Sequence, residues 1–173
     1  MAESDQQSII HIVNLYGLAV DSQSWQLFDR IFTKDVEADF SETAHWRDLA
    51  SFKSDFDAFH SIFDSTQHAM MGHLVDVSGD SAHAFTYGMW RLIRKGVEGG
   101  DFWEGTGWYD DELTRTKDGW RIRHRVSRVV WWGGNLRVQQ ADPDVKFMLH
   151  SMSVKGEGKA GRIGFLNAIS AGK

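Results

Sequence analysis

The amino-acid sequence predicts an α+β protein whose helices pack on one face of a cone-shaped, curved antiparallel sheet. Three observations support this class. Apolar residues recur at helical spacing up to Phe63, the period then changes to two, and turn signals divide the following chain into four long strands. Helices that precede a run of neighbouring strands are typical of α+β folds. A curved sheet covered by helices encloses a cone, whose mouth suits a small ligand.

Three N-terminal helices are predicted. The first covers residues 5–20 with Ser4 as its N-cap, the second covers SWQLFDRIF, and the third covers residues 47–63. Between the second and third helices, DVEADF alternates apolar and acidic residues and predicts a short strand. The apolar stripes of the three helices are Ile9, Ile12, Val13, Tyr16 and Val20; Trp25, Phe28, Ile31 and Phe32; and Leu49, Phe52, Phe56, Phe59 and Phe63.

Four long strands are predicted after the helices. They cover residues 66–78, 82–95, 102–116 and 119–132. The breaks between them are turn signals, so the strands are expected to pair as an antiparallel meander. We predict a cone domain over residues 1–135 and a partly ordered C-terminal extension over 136–173, which covers the pocket or an oligomer interface. In the extension, residues 142–144 predict a turn and SVKGEGKAGRIG predicts a mobile segment.

Length, charge and composition exclude several classes of function. A chain of 173 residues suits one domain with a sizeable core. Its net charge of −5 argues against nucleic-acid binding, and the absence of cysteine excludes thiol chemistry and disulfides. No basic region followed by an apolar run opens the chain, and no apolar run has the length of a membrane span. A cytoplasmic protein without membrane contact is therefore expected.

The segment STQHAMMGHL contains two candidate histidines, His68 and His73. Strand alternation sends them to opposite faces of the sheet, but both faces are partly apolar, so alternation does not choose between them. Taken alone, either histidine is better explained as a half-buried residue bonded to a neighbouring side chain. Two further candidates are Tyr16, in the stripe of the first helix, and Asp21, directly after that helix.

The last strand, GWRIRHRVSRVVWW, alternates apolar residues with arginines. This pattern predicts that most of its arginines lie on a solvated face or at a subunit interface. Arg128 falls on the apolar face unless a bulge shifts the register, and bulges are common next to pockets. One arginine of this strand is therefore expected to turn into the cone.

These segments together resemble the SnoaL-like branch of the nuclear transport factor 2-like superfamily, over roughly residues 5–135. The segments that carry the resemblance are NLYGLAVDSQSWQLFDRIFTKDV, STQHAMMGHLVDVSGDSAHAFTY, GWYDDELTRTKDGWRIRHRV and WWGGN. The branch includes scytalone dehydratase, hexachlorocyclohexane dehydrochlorinase and bile-acid 7α-dehydratase. The resemblance implies a cystatin-like α+β barrel and a cofactor-independent lyase with an Asp–His pair in a cone-shaped cavity.

Carried over by position, the aspartate of the family falls on Asp21, its strand histidine on His68, and the tyrosine of the dehydratases on Tyr16. An arginine of the last strand falls on or near Arg125. These four residues are the predicted catalytic set. Side chains available to bind a flat substrate are Phe52, Phe56, Met70, Trp90, Trp108, His124 and Arg128. Neither a metal nor an organic cofactor is expected.

The resemblance favours a dehydratase-type lyase acting on a hydrophobic cyclic molecule such as a steroid, a polyketide or an aromatic compound. An isomerase or a polyketide cyclase is an alternative on the same fold. Asp39 lies close to the isomerase's aspartate position but one residue out of register and on the outer face, which counts against that mechanism. Asp111 or Asp110 could serve a cyclase, but YDDEL is equally well explained as a solvated face. A non-catalytic ligand-binding protein and the structural small subunit of a ring-hydroxylating oxygenase are further alternatives. A homodimer or homotrimer is expected.

Overall fold

A computed structural model describes residues 4–41, 44–141 and 150–171. Five α-helices and six strands alternate with two short 3₁₀ turns in the described chain. The helices are α1 (Asp5–Asp21), α2 (Phe28–Ile31), α3 (Leu49–His60), α4 (Val154–Lys159) and α5 (Gly164–Ala171). The strands are β1 (Phe32–Asp39), β2 (His45–Trp46), β3 (Ser65–Ser78), β4 (Ser81–Ile93), β5 (Phe102–Thr116) and β6 (Gly119–Gly134). The 3₁₀ turns cover Trp25–Leu27 and Leu136–Gln139.

The six strands form one sheet in the order β2-β1-β6-β5-β4-β3. β3 to β6 pair as the antiparallel meander that the turn signals predict. The prediction of a purely antiparallel sheet is wrong at one place, because β1 pairs parallel to β6. β1 precedes the meander in the chain and joins it at the free edge of β6. The resulting α+β architecture confirms the predicted fold class.

The helices α1 to α3 cover what we call the inner face of the sheet, where the main apolar core lies. α1 begins with the capping box of Ser4 and Gln7 and packs along β3. The contact is close at Gly17. A Cβ there would lie 3.1 Å from the carbonyl oxygen of His68 and 3.3 Å from Cγ of Met70. Glycine at this position therefore lets the end of α1 approach the start of β3.

Two of the β-bulges in the sheet decide which side of it the candidate histidines and arginines face. One interrupts β3 between Met71 and Leu74, where Gly72 has a φ of +64°. After this bulge the His73 ring contacts the Thr86 hydroxyl at 3.1 Å, and Thr86 alternates along β4 with core residues. The prediction that His68 and His73 lie on opposite faces is therefore wrong.

The second bulge lies in β6 opposite Glu112 and Leu113, and it leaves Arg123 as the extra residue. Before the bulge Ile122 faces inward; after it Arg125 does so, and Arg125 is fully buried. The expectation that one arginine of this strand turns inward is confirmed, but the residue is Arg125 and not Arg128.

The C-terminal helices cover part of the opposite side, the outer face of the sheet. Phe165 of α5 packs with Phe85 and Trp108 in a second, smaller cluster. The Asp110 carboxylate accepts hydrogen bonds from the backbone N–H groups of Gly164 and Phe165 at the start of α5. The segment predicted to be mobile instead contains α4. The predicted turn at 142–144 lies outside the described residues.

We expect Asp110→Ala to destabilise the attachment of α5. The substitution removes the acceptor for two backbone N–H groups at the start of the helix, and losing such a cap costs about 0.5–2 kcal/mol. Limited proteolysis of the C-terminal segment should become faster. The free energy of unfolding of the whole domain should fall by no more than this cap energy. An unchanged cleavage rate would show that Asp110 does not hold α5.

Large apolar side chains remain exposed on the outer face. Met71 on β3, Tyr87 and Met89 on β4, and Trp131 on β6 project from this face and are each at least 40% exposed. Large apolar side chains exposed on one face mark candidate interaction sites. The homodimer or homotrimer stays a prediction, and this face is where we expect the contact. In the described ranges no helix is both long and apolar enough to cross a membrane.

Candidate active site

Asp21 and His68 meet at the inner face, where the end of α1 lies over the start of β3. Nδ1 of His68 is 2.7 Å from Oδ1 of Asp21, and the backbone N–H of His68 donates to Oδ2 at 2.8 Å. The Thr66 hydroxyl donates to Oδ1 at 2.8 Å. The pairing predicted for Asp21 and His68 is therefore present, and Thr66 adds a third hydrogen bond to the carboxylate.

The carboxylate fixes the tautomer of His68. An ionised carboxylate only accepts hydrogen bonds, so Nδ1 carries the proton and Nε2 carries the free lone pair. Nε2 has no hydrogen-bond partner among the described residues, yet it is not among the polar atoms that are both fully buried and unpaired. The His68 side chain is 8% exposed and that of Asp21 is 23% exposed. The free nitrogen of an otherwise buried ring is thus the part that solvent reaches.

The environment keeps Asp21 ionised. Burial acts to raise the pKa of this carboxyl group, but hydrogen bonds from His68 and Thr66 outweigh burial and hold the pKa below its ordinary value of 3.8. An aspartate that stays charged at neutral pH continues to hold the His68 ring in one orientation. The pair therefore has the geometry of a general base with its orienting carboxylate.

Tyr16 lies between this pair and a buried arginine. Its ring meets the His68 ring edge-on, with centroids 6.3 Å apart, and the Arg125 guanidinium lies 4.3 Å from the Tyr16 centroid. Burial is the main cause that raises the pKa of Tyr16 to about 12, so the phenol stays protonated. A protonated phenol can donate a hydrogen bond to an oxygen that gains negative charge.

Arg125 is paired with Asp111 inside the cone. Nε and Nη2 of Arg125 donate to the two carboxylate oxygens at 2.7 Å each, and neither side chain has any exposed area. Burial acts to lower the pKa of Arg125, but the Asp111 carboxylate holds it above the ordinary value. Nη1 has no partner among the described residues. Asp111 is thus a buried partner, whereas the sequence alone left open a solvated face.

A sequence model of the SnoaL-like domain matches residues 2–126. The chain belongs to the SnoaL-like family. Its paired Asp21 and His68, with Tyr16 beside them, lie inside the matched region.

Solved structures of similar proteins show the same fold. Kfla4162 of Kribbella flavida superposes with a TM-score of 0.74 at 25% identity, covering 79% of this chain and 97% of that one. A candidate scytalone dehydratase of Novosphingobium aromaticivorans gives 0.67 at 17% identity over 74% and 85%. A nuclear transport factor 2-like protein with a cystatin-like fold, from the same organism, gives 0.63 at 21% over 73% and 82%. These likenesses confirm the predicted cystatin-like α+β fold.

Four of the predicted substrate-binding residues of this SnoaL-like domain lie on the inner side, but three of these are packed rather than open. Phe52, Phe56 and Trp90 are at most 8% exposed, and Phe52 and Phe56 touch each other with centroids 4.6 Å apart. Met70 is half-buried at the edge of the same core. A substrate that reaches His68 must therefore displace side chains of this aromatic cluster.

The other three predicted binding residues lie on the outer face, away from Asp21 and His68. Trp108 is buried beneath α5, since strand alternation places Tyr109 and not Trp108 in the inner core. The bulge in β6 turns His124 outward, next to Glu112 and Asp39, and Arg128 bonds to the Asp39 carbonyl oxygen. His124 lines a polar groove of about 390 Å³ together with Asp35, Glu37, Glu112 and Arg123. These three placements correct the sequence-based assignment.

His60, which ends α3 beside the pair, was not among the residues predicted from the sequence. It is 3% exposed, and its ring centroid lies 6.3 Å from that of His68. Its signal was the spacing of four from Phe52 to Phe56 to His60 on the buried face of α3. Among the described residues no group of three His, Asp or Glu side chains is arranged to hold a metal ion.

His60 should make the stability of this domain fall in mild acid. Burial lowers its pKa from 6.5 to about 4. Between these values the unfolded chain binds a proton that the folded chain does not, so the free energy of unfolding decreases as the pH falls. The full loss is about 3 kcal/mol, at 1.36 kcal/mol per pKa unit. Urea unfolding from pH 7 to 4 measures it.

In that series His60→Phe is the matched control, because it keeps an aromatic ring but has no group that titrates. Its stability should change less between pH 6.5 and 4 than that of the wild type. The carboxylate of Asp21, whose pKa is lowered, loses its contribution only below its ordinary value of 3.8, so the two groups act in different windows. Parallel curves for both proteins would contradict the role given to His60.

Proposed function

We propose that this SnoaL-like domain is a cofactor-independent lyase of the dehydratase type, with His68 as general base and Asp21 as its positioning residue. The observation that carries the proposal is the 2.7 Å contact between Nδ1 of His68 and Asp21, which leaves Nε2 free and reachable. The likeness in fold to a candidate scytalone dehydratase supports the same class. The substrate we infer is a hydrophobic cyclic molecule with a hydroxyl group.

The reaction follows from the free nitrogen. Nε2 of His68 takes a proton from a carbon next to a carbonyl group, and the electron pair of that C–H bond forms a carbon–carbon double bond. The C–O bond on the neighbouring carbon breaks, and the imidazolium returns the proton to the departing hydroxide, so that water leaves. Atoms and electrons balance without an oxidant or a reductant. A well-placed base is worth roughly 10²–10⁴-fold in rate.

Tyr16 and Arg125 have supporting roles in this scheme. The protonated phenol of Tyr16 donates to the carbonyl oxygen as it gains charge. Arg125 lies behind the Tyr16 ring and is held by Asp111, so it acts through Tyr16 by placing a fixed positive charge nearby. The aromatic side chains around the site supply flat apolar surface for a planar ring once they move apart.

An isomerase or a cyclase shares the first step, because both begin with removal of a proton from carbon. The proposed test therefore separates that step from the loss of water. Bicyclic ketones with a hydroxyl group on the β-carbon are incubated with the protein in D₂O. Mass spectrometry then follows deuterium at the α-carbon and the loss of water, while absorbance follows the conjugated product.

The decisive variant is His68→Gln, with His11→Gln as control, since His11 is exposed on the far side of α1. Wild type and control should both incorporate deuterium and release water, and His68→Gln should do neither while keeping its circular dichroism spectrum. Deuterium exchange without loss of water would favour an isomerase or cyclase. Equal activity in wild type and His68→Gln would reject His68 as the base.

A further inference from the structure

His60 places a second imidazole next to that of His68. The two ring centroids are 6.3 Å apart, and His60 ends α3 just where α1 ends with Asp21. The amide of Gln23, which follows α1, donates to the carbonyl oxygen of His60 at 3.0 Å and so ties the two helix ends together. His60 is therefore held at a fixed position relative to the pair.

The tautomer of His60 is also fixed. Nδ1 lies 2.7 Å from the carbonyl oxygen of Phe56, which can only accept, so Nδ1 carries the proton. Nε2 then bears a lone pair and can only accept. It has no hydrogen-bond partner in the described ranges. It is also not among the fully buried, unpaired polar atoms, although His60 as a whole is only 3% exposed. The small accessible part of His60 thus includes a bare acceptor.

Nε2 of His60 stays unprotonated, and so remains a hydrogen-bond acceptor, during a reaction at His68. With a pKa of about 4, His60 remains neutral when His68 takes up a proton. His68, Asp21 and Asp57 act on its charge electrostatically, but none of the ion pairs among the described residues involves His60. The aromatic rings of Trp25, Phe56 and Phe63 surround the imidazole and shield it from bulk water. An incoming hydroxyl group is the natural partner for such a lone pair.

We propose that Nε2 of His60 accepts a hydrogen bond from a substrate hydroxyl group, and that His60 thereby selects hydroxylated cyclic substrates over their deoxy analogues. This inference rests on the proposed function, since the substrate is the one that His68 deprotonates. The distance between the rings places the recognised hydroxyl on the same ring system as the acidic C–H bond. A binding site that leaves a polar atom unpaired with the wrong ligand discriminates strongly between such analogues.

Binding of two matched probes tests the inference without requiring turnover. The probes are 2-naphthol, a flat hydroxylated ring system, and 2-fluoronaphthalene, which has nearly the same shape but no hydrogen-bond donor. Dissociation constants from nuclear magnetic resonance titration should favour 2-naphthol in the wild type. His60→Phe should weaken 2-naphthol binding about ten- to a hundredfold, because the bound hydroxyl group is left without its hydrogen-bond acceptor. The affinity for 2-fluoronaphthalene should stay within about threefold.

A second measurement keeps the inference testable if His60→Phe does not fold. In wild-type protein labelled with ¹⁵N-histidine, 2-naphthol should shift the Nε2 resonance of His60, and 2-fluoronaphthalene should not. Equal affinity of the wild type for both probes, or an unmoved His60 resonance, would overturn the inference. Failure of the proposed function is seen separately, as an absence of water loss from the β-hydroxy ketones in the wild type.

Discussion

Asp111→Asn is expected to destabilise the folded chain by about 3–5 kcal/mol. The substitution leaves the Arg125 guanidinium charged, fully buried and without the carboxylate that accepts two of its hydrogen bonds at 2.7 Å. Nη1 of Arg125 already lacks a partner in the described chain, so the guanidinium has no spare hydrogen bond to compensate. Urea unfolding at pH 7 measures the loss as a lower midpoint at unchanged slope.

The same change one residue earlier on β5 is the matched control. Asp110 lies on the outer face and caps α5, and asparagine caps helices about as well as aspartate. Asp110→Asn should therefore cost at most about 0.5–2 kcal/mol, the cost of a lost cap, which is well below the loss expected for Asp111→Asn. The double variant Asp111→Leu with Arg125→Met removes both charges and should recover most of the lost stability. An Asp111→Asn protein as stable as Asp110→Asn would show that the pair contributes nothing.

The sequence predicted the helices and the long strands because their signals are local. A helical stripe that ends at Asp21, followed later by a strand that opens with Thr66 and His68, carries its own periodicity. Strand alternation did not decide the face of His68, so the resemblance to the family both paired it with Asp21 and assigned their roles. The observed pairing depends further on Gly17, whose missing side chain lets α1 approach β3.

The faces of β6 could not be predicted because they depend on one extra residue. The bulge at Arg123 reverses the side of the residues that follow it, up to a further bulge at Val130, so Arg125 enters the cone and His124 leaves it. Trp108 was misplaced for a related reason. Both faces of β5 are buried, and nothing in the strand itself shows that α5 covers the outer one. Whether a strand contains a bulge, and which distant helix covers its face, depends on tertiary contacts that the periodicity of the sequence does not show.

Asp21→Asn is expected to lower turnover of the proposed reaction by roughly 10²–10⁴-fold while the fold persists. Asparagine has one acceptor oxygen where the carboxylate has two, and its amide N–H₂ would face the donors of His68 and Thr66. His68 then adopts the other tautomer, in which Nδ1 accepts and Nε2 carries the proton, so the base is lost. Thr66→Val, which removes one hydrogen bond but leaves the tautomer, should reduce turnover less than tenfold. Deuterium exchange at the α-carbon measures both variants, and equal losses in the two would mean that Asp21 acts only as a structural ligand of its neighbours.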